Sequence, residues 1–326
     1  MKLIRTTRQS LLLAAALAAT PVLATAQAYP TQSIKVIVPF TPAGATDIVA
    51  RMVATHVGQN TGWVFVIDNR PGASGNIGME ATAKAKPDGY TLAMGQTANL
   101  AINPALYAKM PFDPLKDFTP IAMVASVPVV VVVRGDGPMK TLADVVAAAK
   151  ANPGKLTQAL AGNGTVGHLA GELFARRAGI KFTNVPYKGA APALTDLMGG
   201  QTDLMFATPQ SVVSLIKSGK LRALAVSAGK RLTVMPEVPT IGESGYAGFE
   251  AVDWKALVAP AGTKPDIVKA LNDAVNKALG QPSTLAELLA DGSAPMGGTP
   301  EQAAQKIKAE YARWGALIRE AGIKLE

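Results

Sequence analysis

The chain has no cysteine among its 326 residues. That excludes disulfides, thiolate metal sites and an N-terminus anchored through a lipidated cysteine. Histidine is scarce as well: His56 and His168 are the only two, far apart, with no metal-ligand spacing around them. Aromatic residues make up 5% of the chain, and no basic block is interleaved with them, so a nucleic-acid surface is not expected. No ~20-residue apolar run of the kind that spans a bilayer is present. No G-x-S-x-G turn occurs. Ser214 with Lys217 and Ser227 with Lys230 match S-x-x-K, but no K-T-G accompanies them. Asp47, Asp68 and Asp203 fall at element ends, where capping is the usual task of an acid. These absences point to a binder rather than an enzyme, with no metal and no cofactor.

The N-terminus carries an address. Lys2, Arg5 and Arg8 precede an apolar stretch from Leu11 to Ala19, and Ala24-Thr25-Ala26 and Ala26-Gln27-Ala28 are small-x-small cleavage sites. Residues 1–28 are therefore expected to be a cleaved signal peptide. Without a twin arginine the route is the general secretory one, and the destination is a bacterial periplasm. Loss of its three cations lowers the formal charge from +9 to +6. The remaining basic residues are scattered, giving a mild positive field that would gather anions. The hydrophobic content of 48% suffices for a core without disulfides.

Beyond residue 28 the pattern alternates strand and helix, which argues for parallel sheets covered by helices. Val127 to Val133 is an unbroken apolar run that suits a buried strand. Two glycine-rich segments read as strand, loop and helix start. One runs from Val36 through Pro42-Ala43-Gly44-Ala45-Thr46-Asp47, the other from Ala159 through Gly162-Asn163-Gly164-Thr165-Val166-Gly167-His168. Each sets a helix N-terminus, with unpaired N–H groups and partial positive charge, at the end of a strand, where a carboxylate or phosphate binds readily. The second also matches the dinucleotide fingerprint G-x-G-x-x-G. The acid that should hold the ribose is missing, because the next strand ends Asn184-Val185-Pro186-Tyr187-Lys188.

Several segments, taken in order, resemble the Bug-type, TctC-like receptors, periplasmic solute-binding proteins of tripartite tricarboxylate transporters. They are Ile37-Val38-Pro39-Phe40 with Thr46-Asp47-Ile48-Val49-Ala50-Arg51, then Asn69-Arg70-Pro71-Gly72-Ala73-Ser74-Gly75-Asn76, Pro87-Asp88-Gly89-Tyr90 and Ala101-Ile102-Asn103-Pro104. Later come Ala161-Gly162-Asn163-Gly164-Thr165, Val185-Pro186-Tyr187-Lys188-Gly189-Ala190-Ala191-Pro192 and Ala259-Pro260-Ala261-Gly262-Thr263. The resemblance implies an α/β, two-lobe type II periplasmic binding-protein fold. Each lobe would hold a mostly parallel sheet flanked by helices, with two crossing strands as hinge. Residues 29–126 and 251–326 would form lobe 1 and residues 127–250 lobe 2, the crossings lying near Val124–Val131 and Phe249–Trp254.

By family position the resemblance also implies the ligand loops. In lobe 1 they are Phe40, Ala43, Gly44, Thr46 and Asp47, then Ser74, then Thr97 and Ala98 after Gln96. In lobe 2 they are Gly162, Asn163, Gly164 and Thr165 with His168, then Lys188, Gly189 and Ala190, then Ala207 and Thr208. The expected ligand is a small organic anion, a carboxylate. The expected partners are the permease subunits of a tripartite transporter, and the receptor is expected to be a monomer. A sensing role beside a membrane signalling protein and a two-lobe enzyme are the alternatives. Relatives often have Pro-Gly-Gly-Pro-Thr-Asp in the first loop, and an acid or asparagine where this chain has Ala207-Thr208-Pro209. Neither ligand loop carries arginine, which excludes a guanidinium clamp from them and leaves Lys188 as the rival counter-charge.

Overall fold

The computed structural model describes residues 29–323; the signal-peptide expectation lies outside the described residues. The first sheet is built from β1 (Ile34–Val38), β2 (Phe65–Asn69), β3 (Thr91–Gln96), β4 (Phe118–Pro128), β10 (Val252–Pro260) and β11 (Ala294–Gly297), in the order β11-β4-β10-β3-β1-β2. The second is built from β5 (Val130–Arg134), β6 (Thr157–Leu160), β7 (Thr183–Pro186), β8 (Leu204–Ala207) and β9 (Leu221–Val226), in the order β7-β6-β8-β5-β9. In the first sheet β10 and β11 run against the other four strands. In the second only β5 runs against its neighbours.

The helices on the first sheet are α1 (Ala45–Thr61), α2 (Asn76–Ala83), the short α3 (Asn103–Leu106), α8 (Pro265–Leu279), α9 (Pro282–Ala290) and α10 (Pro300–Ala321). Those on the second are α4 (Leu142–Ala151), α5 (Val166–Ala178), α6 (Ala190–Met198) and α7 (Pro209–Lys217). Local chemistry fixes their starts. Thr141 with Asp144 and Thr299 with Gln302 form complete capping boxes at α4 and α10. Thr165 caps α5 by accepting the His168 N–H. None of the described helices is long and apolar enough to cross a membrane.

The apolar run Val127–Val133 is not one strand. It ends β4, turns at Val129 and begins β5, so it passes from one sheet to the other while staying buried throughout. A second passage brings the chain back at Ala251 into β10. One side chain ties the two passages. The Ser227 hydroxyl accepts the Val129 N–H at 2.9 Å and donates to the Ala251 carbonyl at 2.5 Å. The Ser227 backbone bonds the same two residues, from its N–H to Val129 O and from Ala251 N–H to its carbonyl. At the next step of β10, Thr97 Oγ1 accepts the Trp254 N–H at 2.9 Å. An aromatic cluster packs nearby, with Phe174 against Tyr246 at a centroid distance of 4.9 Å and against Phe206 and Phe249 at 6.0 and 6.3 Å.

Ser227→Ala leaves a buried donor and a buried acceptor without partners at the crossing. The expected loss is about 1–3 kcal/mol of unfolding free energy. Urea denaturation should show a lowered midpoint at an unchanged m value.

Candidate functional site

β1, β2 and β3 run parallel, as do β6, β7 and β8, so the loops that follow them gather at one edge of each sheet. These edges face one another and enclose two cavities. One reaches the crossing at Val129 and measures about 70 Å³. The second measures about 240 Å³. Phe40 and Ala161 line both.

Four helices begin at the hinge-side cavity: α1 through Gly44, Ala45 and Thr46, α5 through Thr165 to Gly167, α6 through Gly189 and Ala190, and α7 through Thr208. Each N-terminus carries N–H groups without intrahelical partners and about half a positive charge. α1, α6 and α7 have no side-chain cap. Their first-turn donors are open to an anion, apart from the N–H groups that Pro192 and Pro209 lack and that of Ser211, which bonds to the Thr208 carbonyl.

The lobes touch across the cleft. Ser74 Oγ donates to the Asn163 carbonyl. Gly189, at φ 145°, lies so close to Thr41 that a Cβ there would collide with its side chain. Gly164, at φ 75°, would place a Cβ 2.6 Å from Asn103 Oδ1. Glycine at these two positions lets the lobes approach.

The floor of the hinge-side cavity is polar. Lys255 is fully buried and its Nζ donates to Gln96 Oε1 at 2.8 Å and to Asp253 Oδ2. Thr46 Oγ1 donates to the same Gln96 oxygen. Asp253 and Lys255 are the charged side chains on this lining, one of each sign.

Of the sequence-expected residues, Phe40, Gly44, Thr46, Thr165, Gly189 and Ala190 line the hinge-side cavity, with Ala207 and Thr208 on its far wall. Ser74, Gly162, Asn163 and Lys188 line the second cavity. There the Tyr187 hydroxyl donates to Asp196 Oδ2 at 2.7 Å, a bond that pushes the phenol up to about 12.

The remaining six lie outside both linings. Ala43 is exposed on the loop, and Ala98 and Thr97 are buried behind it. Gly164 packs on Asn103 in the opposite lobe. His168 lines a separate groove with Glu172 and Asn184. Its Nδ1 accepts the Gly164 N–H at 3.1 Å. Burial pushes its imidazole below the ordinary value, against the pull of Glu172, so the ring serves as a neutral acceptor that shapes the loop. Thr165 gives its one hydroxyl proton to the Gly162 carbonyl, which leaves the backbone of Val166 and Gly167 as the donors there. Asp47 also works inside the loop. Its carboxylate accepts from Ala43 N–H at 3.0 Å, Arg51 Nε at 2.9 Å and Asn69 Nδ2 at 2.9 Å. Burial would raise this carboxyl, but those three hydrogen bonds outweigh it and hold it below its usual range.

Sequence reasoning missed Asp253 and Lys255, which sit in a strand that reads as core. The available trace was their spacing, two residues apart, which puts both on one face of a strand.

In comparison with known proteins, the chain matches the family described as "Tripartite tricarboxylate transporter family receptor" over residues 49–323. It is 40% identical over 302 residues to protein BugT of Bordetella pertussis, covering 92% of this chain and 93% of that one. Among solved structures it is similar to an R. palustris protein with adipate, at 39% identity and TM-score 0.88, covering 91% of this chain and 100% of that one. It is also similar to MatC from Rhodopseudomonas palustris with bound malate, at 34% identity and TM-score 0.82, covering 89% and 100%.

Asp47→Ala should cost about 1–3 kcal/mol by stripping the first loop of its acceptor. The folded carboxyl titrates below its unfolded counterpart. Its stabilisation is therefore complete above about pH 4 and fades as pH falls through the lowered folded value. Chemical denaturation should show a wide gap between wild type and variant at pH 7 that narrows toward pH 2.

Proposed function

The chain belongs to the tripartite tricarboxylate transporter receptor family, whose members are solute receptors rather than enzymes, and on that premise we propose that it binds a small organic carboxylate between its lobes. It delivers that ligand, from the periplasm, to the membrane subunits of a transporter of the same type. One observation carries the reading. Four helix N-termini, three of them uncapped by side chains, open into one cavity whose two charged side chains cancel. Such a site favours an anion held by backbone N–H groups rather than by an arginine fork. The adipate and malate held by the two R. palustris relatives fit the same class.

The lobes of the proposal are 29–126 with 251–326, and 127–250. This division agrees with the passage from β4 to β5 at Val129 and the return into β10 at Ala251. The receptor of this proposal acts as a monomer. Residues 1–28 supply the export signal. Binding would draw the lobes together, since only then do α1 on one side and α5 and α6 on the other touch one ligand.

The test is a thermal-shift and calorimetric panel of small carboxylates, malate and adipate included. A ligand at ~100 times its dissociation constant should add about 2.7 kcal/mol of stability. Gly189→Val, which collides with Thr41 and strains a backbone at φ 145°, should lower the midpoint of the ligand-free protein and abolish the ligand-induced gain measured from that lowered midpoint. A panel in which no carboxylate raises the midpoint overturns the reading.

A further inference from the structure

The polar floor of the hinge-side cavity has an unmet requirement. Asp253 and Lys255 leave β10 on one face, with side chains 6% and 1% exposed. Lys255 Nζ has three protons. Gln96 and Asp253 take two of them, and the third has no acceptor among the described hydrogen bonds. Asp253 Oδ2 receives Lys255, but Asp253 Oδ1 is buried with no partner. Buried polar atoms are nearly always paired, and an unpaired carboxylate oxygen is unfavourable. Both residues line the cavity, and between them one donor on a cation and one acceptor on an anion are left without partners.

Few groups answer both. A carboxylate accepts from Lys255 but has nothing to give Asp253, and the two anions repel. An ammonium gives to Asp253 but cannot accept, and it repels Lys255. A hydroxyl does both on a single atom: its proton goes to Asp253 Oδ1 and its lone pair receives the third Lys255 proton. The helix termini of α1, α5 and α6 line the same cavity and can hold a carboxylate beside it. By its volume the cavity has room for roughly five water-sized groups, which suits a compact ligand carrying both functions close together.

We propose that Asp253 and Lys255 read an alcohol hydroxyl, so that the ligand at this site is a small hydroxycarboxylate. This deepens the carboxylate-receptor reading and rests on it. Asp253 and Lys255 are specificity-determining residues, whereas the helix termini supply the general hold on the anion.

The experiment is calorimetry with probe pairs that differ only by the hydroxyl: malate against succinate, lactate against propionate, and 3-hydroxybutyrate against butyrate. In wild type, the hydroxy member of the best-binding pair should bind at least tenfold tighter than its deoxy partner. Asp253→Asn keeps the shape but turns a donor toward the position of the free oxygen and leaves Lys255 uncompensated. It should erase that preference or reverse it toward the deoxy acid, with the ligand-free melting midpoint as the check on folding. The wild-type arm requires no variant to fold. Deoxy acids binding as tightly as hydroxy acids in wild type overturn the hydroxyl reading and leave the carboxylate receptor standing. An Asp253→Asn protein that keeps the full preference does the same. Failure of every carboxylate to bind overturns both.

Discussion

One serine hydroxyl decides where the two halves of this protein meet. The chain passes between the sheets at Val129 and returns at Ala251, and Ser227 bonds to both passages through its side chain and its backbone. Two strands entering different sheets are thereby held at a fixed spacing in a fully buried place. The cleft is the space left between sheets joined in this way. Because the strands before the ligand loops run parallel within each sheet, their following helices begin at the cleft and not at the outer ends. The positive ends of those helices are a consequence of topology before any side chain is chosen.

The electrostatics of the cleft follow from that arrangement. With helix termini available to attract an anion, the loops of the hinge-side cavity need no full cation of their own. Arg51 is tied to Asp47, holding the first loop in shape. Lys188 is exposed at the second cavity. Lys255 is neutralised by Asp253. His168 stays an acceptor for the Gly164 N–H. A site built in this manner would hold an anion by many weak, directed donors, and its preferences would then depend on shape and hydrogen-bond pattern more than on net charge.

How much of this the sequence displayed depended on whether the deciding signal was local. α4 begins at Leu142 and α5 at Val166 because Thr141 with Asp144 and Thr165 set those starts within four residues. The glycine-rich loops were legible for the same reason. β11 escaped notice because Ala294-Pro295-Met296-Gly297 contains the two residues least suited to a strand. It survives as an edge strand, where a proline nitrogen need not donate. The run from Val127 to Val133 reads as one buried strand, since burial in either sheet demands the same apolar residues; the crossing near Val124–Val131 came from the family resemblance and not from the run itself. His168 and Asp47 were read as facing a ligand because of where they stand in their loops. Their side chains instead satisfy neighbouring backbone and side-chain donors, a choice made by rotamer and packing that sequence does not display. Asp253 and Lys255 were lost in an otherwise apolar strand. Only the tertiary placement of β10 next to Gln96 turns that pair into part of a cavity.

The placement of the hinge-side cavity sets the order in which a bound molecule would be let go. Val129, a residue of the crossing itself, lines this cavity and not the second one. Asp253 and Lys255 lie two and four residues beyond Ala251, or about 7 and 13 Å along an extended strand. In any rotation of one lobe about its crossings, a point moves in proportion to its distance from the axis. Walls that depend on Gly189 against Thr41 and Ser74 against Asn163 join opposite lobes and part as soon as the arc begins. Gln96, Asp253 and Lys255 all ride on the first sheet and keep their mutual geometry throughout. A molecule held there would, on such an opening, leave the middle segment of the chain first and the crossing strand last.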